Sequence, residues 1–264
     1  MLQIKSLHKT FNKNTVNENH LFTGLNLEIE KGDFVTIIGS NGAGKSTLLN
    51  LVSGNIKGDR GEVILEDKNI NKLKEYKISK EIGRVYQDPS KGTAPSMTIM
   101  ENLSMAYNKG KGFGLKKAIN KNDIERFKEL LKPLNLNLED KLNCKVSSLS
   151  GGQRQAMSLI MSVMSSPKVL LLDEHTAALD PKTSEAIIEI TEKVVAKENI
   201  TTLMVTHNLK HAINMGNRLL MMHRGEIIFD IKGEEKKNLT MEKLLAMFET
   251  TAGEDAVSDR TLFS

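Results

Sequence analysis

Two stretches of this chain carry the residue types that chemistry on a phosphate needs. The first is Gly39, Ser40, Asn41, Gly42, Ala43, Gly44, Lys45 and Ser46, with Thr47 following. It fits the pattern G-x-x-x-x-G-K-[ST], whose glycines let backbone N–H groups turn inward around phosphate oxygens while the helix that follows adds its N-terminal dipole. In that pattern Lys45 reaches the β- and γ-phosphates and Ser46 ligates Mg2+. The second stretch, from Lys168 to Glu174, reads KVLLLDE. Its apolar run delivers Asp173 to a strand's carboxyl end, where it can hold Mg2+ from the other side, and Glu174 can polarise an attacking water. Taken singly, the loop is compatible with a turn that binds nothing, and the carboxylate pair with a helix cap or solvated turn. In combination they point to a bound nucleoside triphosphate.

Such a loop has to be held between a strand and a helix. Phe34 to Ile38 reads as a strand, the glycine-rich loop follows at once, and an apolar-periodic helix begins near Lys45. Shorter β-like runs precede it at Leu2 to Ile4 and Leu25 to Ile29, with Lys31, Gly32 and Asp33 as a turn. Further runs lie at Glu62 to Leu65 and Ile82 to Tyr86. From about Asp88 to Ser166 the character becomes helical: Asp123 can cap IERFKELL, and Ser150 can cap a helix that ends before Pro167. The start of this region, Asp88 to about Leu103, reads as an irregular surface loop because it holds Pro89, Gly92 and Pro95. Buried strands then return at Val169 to Leu172 and Thr202 to Val205, joined by a helix from Pro181 to about Lys197 with Asp180 as its cap. Leu219 to Met222 and Glu226 to Ile231 flank Arg224 and Gly225 as a hairpin, and a short helix from Met241 to Phe248 precedes a polar tail.

Leu149, Ser150, Gly151, Gly152 and Gln153 spell LSGGQ on the start of the capped helix. This resembles the signature of the ABC ATPase superfamily. A capped helix start offers a hydroxyl, glycine backbone donors and a dipole to an anion, and the resemblance implies that the anion is the γ-phosphate bound to a second subunit. Other matches follow in order. Gln87 resembles the Q-loop glutamine, which contacts Mg2+ and the water site; Ala178, Leu179 and Asp180 resemble the D-loop; His207 resembles the switch histidine at the γ-phosphate; Phe11 stands where the family stacks an aromatic ring on adenine. One departure is His175, where proline is common after the catalytic glutamate. The favoured reading there is a tolerated loop substitution.

The resemblance implies an α/β fold: a P-loop NTPase (RecA-like) core with an N-terminal antiparallel β subdomain and an inserted α-helical signature subdomain. The ATPase domain is expected over residues 1–240 (core 1–87 and 167–232, helical subdomain about 88–166), with a C-terminal helix and polar tail over 241–264. ATP and Mg2+ are the expected cofactors. LLDEHTAALDPKT and the run from Gly216 to Gly225 resemble bacterial uptake ATPases that work with a separate transmembrane permease and an extracellular substrate-binding protein, some associated with aromatic amino acids. The expected assembly is a head-to-tail homodimer closed on two ATP molecules, peripheral on the cytoplasmic side of the membrane.

Bulk properties narrow the alternatives. With 264 residues, 39% hydrophobic and 27% charged, the chain has the composition of a globular protein rather than a disordered one. No apolar run approaches the roughly 20 residues that span a bilayer, and the start MLQIKSLHKTF lacks a secretory pattern. The single cysteine, Cys144, cannot form an internal disulfide. A net charge of +4 is weakly basic, and its densest stretch, Asn108 to Lys117, reads as a solvated loop, so no nucleic acid is expected. The alternatives are a stand-alone ATPase of an ABC exporter and a soluble ABC ATPase acting on ribosomes or DNA. Translation-factor relatives usually carry two cassettes and DNA-repair relatives an inserted coiled coil; this chain shows neither. A non-hydrolysing relic is disfavoured because Lys45, Ser46, Asp173, Glu174 and His207 are all present.

Overall fold

A computed structural model describes residues 1–111 and 121–252. In chain order the elements are β1 (Leu2–Phe11), β2 (Asn19–Ile29), β3 (Phe34–Gly39), α1 (Lys45–Val52), β4 (Arg60–Leu65), β5 (Lys68–Asn69), α2 (Glu75–Glu81), β6 (Ile82–Val85), α3 (Ile99–Tyr107) and α4 (Lys121–Leu131). They continue with α5 (Gly151–Val163), β7 (Val169–Asp173), α6 (Pro181–Glu198), β8 (Thr201–Val205), α7 (Leu209–Asn214), β9 (Arg218–His223), β10 (Glu226–Lys232), α8 (Gly233–Lys237) and α9 (Met241–Ala252). The chain divides into two compact units, Met1–Ile78 with Ile200–Ser264, and Ser79–Asn199. No helix among the described residues is long and apolar enough to cross a membrane.

The first unit holds an antiparallel sheet in the order β2-β1-β4-β5 and a second set of strands in the order β10-β9-β3-β8. β3 runs parallel to both β8 and β9, with Ile37 opposite Val205 and Gly39 opposite Met222. Strands covered on both faces need continuous apolar runs, and Val35, Ile37, Ile38, Leu203, Met204 and Val205 are all buried. On one face Ile38, Leu219 and Met221 pack with Leu209 and Ala212 of α7 and with Leu244 and Phe248 of α9. The C-terminal helix therefore belongs to the core of this unit.

In the second unit β6 and β7 pair in parallel, Val85 opposite Leu172. α5 starts at an N-cap, Ser150, whose hydroxyl accepts from Gln153 N while Gln153 Oε1 accepts from Ser150 N, a reciprocal capping box. α6 starts as the sequence predicts, with Asp180 as N-cap and proline at the first position.

Several expectations are corrected. β1 extends to Phe11 instead of ending at Ile4, and β2 begins at Asn19. Asp123 lies inside the first turn of α4 and is not its cap. The irregular segment after Asp88 stops before Thr98, where Thr98 and Glu101 form a second capping box and α3 begins. α9 runs four residues past Phe248 to Ala252. The polar tail beyond residue 252 and residues 112–117 of the basic stretch lie outside the described residues.

Candidate functional site

The glycine-rich loop from Gly39 to Ser46 takes its shape from three glycines with positive φ. Gly39 (φ 146°) is packed against the backbone of β9 so closely that a Cβ there would fall 2.0 Å from Met222 O. Gly44 (φ 100°) is the N-cap of α1, supplies no side-chain cap bond, and would put a Cβ 2.8 Å from the Phe22 ring. Gly42 (φ 80°) faces open space, with nothing within 4 Å of an added Cβ. Packing thus demands glycine at both ends of the loop, and at Gly42 backbone conformation does. Lys45 is 5% exposed and folds back so that Nζ donates to Gly39 O (2.7 Å) and Ser40 O (2.9 Å). The ammonium is therefore held against the loop's own carbonyls.

Two ties brace the loop from the β9–β10 hairpin. Gly225 N donates to Ala43 O (3.0 Å), and Ser40 Oγ lies 3.4 Å from His223 Nδ1. Asn41 and Ser46 are exposed and Thr47 is half-buried. His207 leaves the same C-terminal edge as the loop: Thr206 N donates to Ile37 O (3.2 Å), and Asn208 N turns back to Thr206 Oγ1 (3.0 Å) before Asn208 caps α7. Phe11 closes β1 half-buried, with Lys9 Nζ 5.2 Å from its ring centroid, so one face of the ring is backed by a cation.

In the second unit Gln87, two residues past Val85, and Asp173, one past Leu172, leave the same edge of the parallel pair β6 and β7. Gln87 is exposed. Asp173 Oδ2 accepts from an Arg84 guanidinium nitrogen at 2.8 Å. Glu174 follows with φ 46°, a left-handed backbone that residues other than glycine seldom adopt. His175 is buried in the turn that follows, and its Nε2 lies 3.1 Å from Thr191 Oγ1 of α6.

Ser150 is exposed and its hydroxyl accepts from Gln153 N, which leaves its proton for an anion. Gln153 spends its amide on Ser150 N and on Leu136 O (3.1 Å), so its side chain shapes the helix start. Gly152 carries a packing constraint as well, since a Cβ there would meet Thr183 Cγ2 at 2.3 Å, and Gly151 would meet Leu179 at 3.3 Å. Side-chain and backbone hydrogen bonds from Thr183 hold the Asp180 carboxyl below its usual pKa.

Among the described residues no group of three or more His, Cys, Asp or Glu could cage a metal. Ser46, Asp173 and Gln87 each offer the oxygen donor type that suits Mg2+, a hard cation that keeps waters and takes phosphate oxygens, with only one or two protein carboxylates. Sequence reasoning missed Arg84. The signal was available: an arginine inside the apolar strand run IGRVY requires a buried anion.

The chain matches the ABC transporter family over residues 22–177. It is 56% identical over 249 residues to a tyrosine transport ATP-binding protein of Clostridioides difficile (strain R20291), covering 94% of this chain and 99% of that one. It is 35% identical to a xylose/arabinose import ATP-binding protein of Sulfolobus acidocaldarius, covering 89% of each. Among solved structures it resembles a dimeric, post-hydrolysis ATP-binding cassette bound to ADP and Pi, with TM-score 0.75, 31% identity, and coverage of 88% of this chain and 98% of that one.

Proposed function

This chain belongs to the ABC transporter family, and we propose that within it the protein is the ATP-hydrolysing subunit of a bacterial importer for tyrosine or a related aromatic amino acid. The observation that carries the reading is the loop from Gly39 to Ser46: positive-φ glycines, a helix start without a side-chain cap, and the Lys45 ammonium folded back onto Gly39 O and Ser40 O. In this reading Phe11 stacks on adenine, Gly39 to Thr47 wrap the phosphates, and Lys45 and His207 stabilise charge at the γ-phosphate. Glu174 takes the proton of the attacking water, which Gln87 helps to position. Ser46, Asp173 and Gln87 are the residues that would hold Mg2+, which when bound would supply charge neutralisation at the phosphates.

Two copies close head to tail, so that Ser150, Gly151 and Gly152 of the partner subunit meet the γ-phosphate, with Gln153 shaping that helix start and Asp180 lining the dimer. Closure moves a separate membrane permease, served by an extracellular binding protein, from the cytoplasmic face. The cargo rests on the tyrosine-transport relative and on the chain's similarity to it over 94% of its length. The test is gentle extraction with the native membrane, identification of co-purifying chains, and phosphate release from Mg-ATP. A polytopic permease, tyrosine uptake that needs it, and hydrolysis abolished by Lys45→Ala are expected. Co-purifying ribosomal proteins or DNA would overturn the importer.

A further inference from the structure

We propose that Arg84 is a positioning residue for Asp173, setting the carboxylate so that the Mg2+–nucleotide complex is held. The inference rests on the function proposed above and extends it to a residue outside the motifs. Arg84 sits in β6 opposite Leu171, between the buried residues Gly83 and Val85. Its side chain is 8% exposed and that of Asp173 14%. An arginine in such surroundings is costly unless an anion answers it, and the cost of breaking the pair falls on the partner left behind.

The guanidinium meets both a carboxylate and a ring. One nitrogen donates to Asp173 Oδ2 at 2.8 Å, and Cζ lies 4.6 Å from the Tyr86 ring centroid. The same strand end is held from the other side, because Gln155 of α5, itself buried, donates Nε2 to Tyr86 O at 3.2 Å. Residues 84–86 therefore join the carboxylate at the end of β7 to the helix that opens at Ser150. The Arg84 N–H takes one of the carboxylate's about four lone-pair sites. This is the relation of an outer partner to a metal-binding carboxylate, and loss of such partners typically costs about 10- to 100-fold in metal affinity. A cation acting only as a competitor for the carboxylate would have the opposite sign: its removal would tighten Mg2+.

The experiment measures binding of a fluorescent ATP analogue to the full chain in EDTA and across a Mg2+ titration, for the parent, Arg84→Met and Arg84→Lys. For Arg84→Met the half-saturating Mg2+ concentration is expected to rise about 10- to 100-fold, with affinity in EDTA unchanged. Arg84→Lys keeps the charge without the planar, stacked geometry, and a smaller rise is expected. In an Asp173→Asn background, Arg84→Met should add no further shift, whereas a merely structural role would persist there. If Arg84→Met does not fold, the Lys variant decides alone. An unchanged or tightened Mg2+ response in a folded variant overturns the role of Arg84. A parent that binds no nucleotide overturns the proposed function instead.

Discussion

His175 Nε2 lies 3.1 Å from Thr191 Oγ1, and the Thr191 hydroxyl is itself committed to Ile187 O at 2.8 Å. The threonine proton is spent within α6, so the imidazole is the donor and its tautomer is fixed by the helix. The side chain after Glu174 thus fastens the carboxylate turn to α6. His175→Ala removes this bond and the packing around it, and a loss of about 1–3 kcal/mol in urea unfolding is expected. The pH profile of ATP hydrolysis between about 5.5 and 7.5, the range of an ordinary histidine, should keep its shape. Loss of one ionisation from that profile would show that His175 acts in the chemistry.

Glu174 occupies a left-handed backbone at φ 46°. For a residue with a Cβ this costs roughly 1–2 kcal/mol, and such strain persists where surrounding structure and function require it. Glu174→Gly should therefore leave the protein as stable as the parent or raise its unfolding midpoint, while hydrolysis is lost. A clear drop in stability would mean that the side chain's own contacts outweigh the strain.

Lys236 is buried and donates Nζ to Ala212 O (2.6 Å) and to Ile213 O at the end of α7. Burial pushes its pKa down from 10.5 to about 8. Below about 8 the amine is charged in both folded and unfolded chains, and the native state bears the full burial penalty. Between about 8 and 10.5 the unfolded chain binds more protons, so this group makes stability rise with pH. Relative to Lys236→Met, the parent should gain stability between these limits at up to about 1.4 kcal/mol per pH unit. Urea unfolding of both proteins near pH 7.5 and pH 10 measures the gap, and a gap that does not move counts against the shift.

What the sequence disclosed was local. Strand, loop and helix from Phe34 to Val52 are contiguous, and Asp180 with Pro181 is a start signal complete in two residues. β1 was cut short because Ser6 has φ 45° and the pairing with β2 slips between Ile4 and Leu7, between Leu7 and His8, and between Lys9 and Thr10. Those irregularities erase the period-two alternation that marks a strand. The start of α3 is legible in the sequence, since Thr98 and Glu101 form the T-x-x-E pattern of a capping box. Arg84 and Asp173 are 89 positions apart; the sequence shows only that each needs a partner. The role of Gly152 was half visible, because the requirement for glycine comes partly from Thr183 on another helix.

The proposed mechanism separates binding from chemistry at Glu174: in it Lys45, Mg2+ and Ser150 of the partner subunit would stabilise charge on the γ-phosphate without Glu174, whereas the attacking water would need a base. Glu174→Gln keeps size and hydrogen-bonding capacity but cannot take the proton, a role typically worth about 10²- to 10⁴-fold in rate. Lys45→Ala removes the ammonium held by Gly39 O and Ser40 O, and with it the phosphate contact on which closure would depend in the proposed function. Glu174→Gln should therefore accumulate as an ATP-occluded dimer, and Lys45→Ala should stay monomeric. Size-exclusion chromatography with and without Mg-ATP, alongside phosphate release, measures both. Hydrolysis at the parental rate in Glu174→Gln would remove Glu174 as the base. A variant that binds ATP yet never dimerises would instead tell against closure of the isolated subunits, leaving the permease to bring the two copies together.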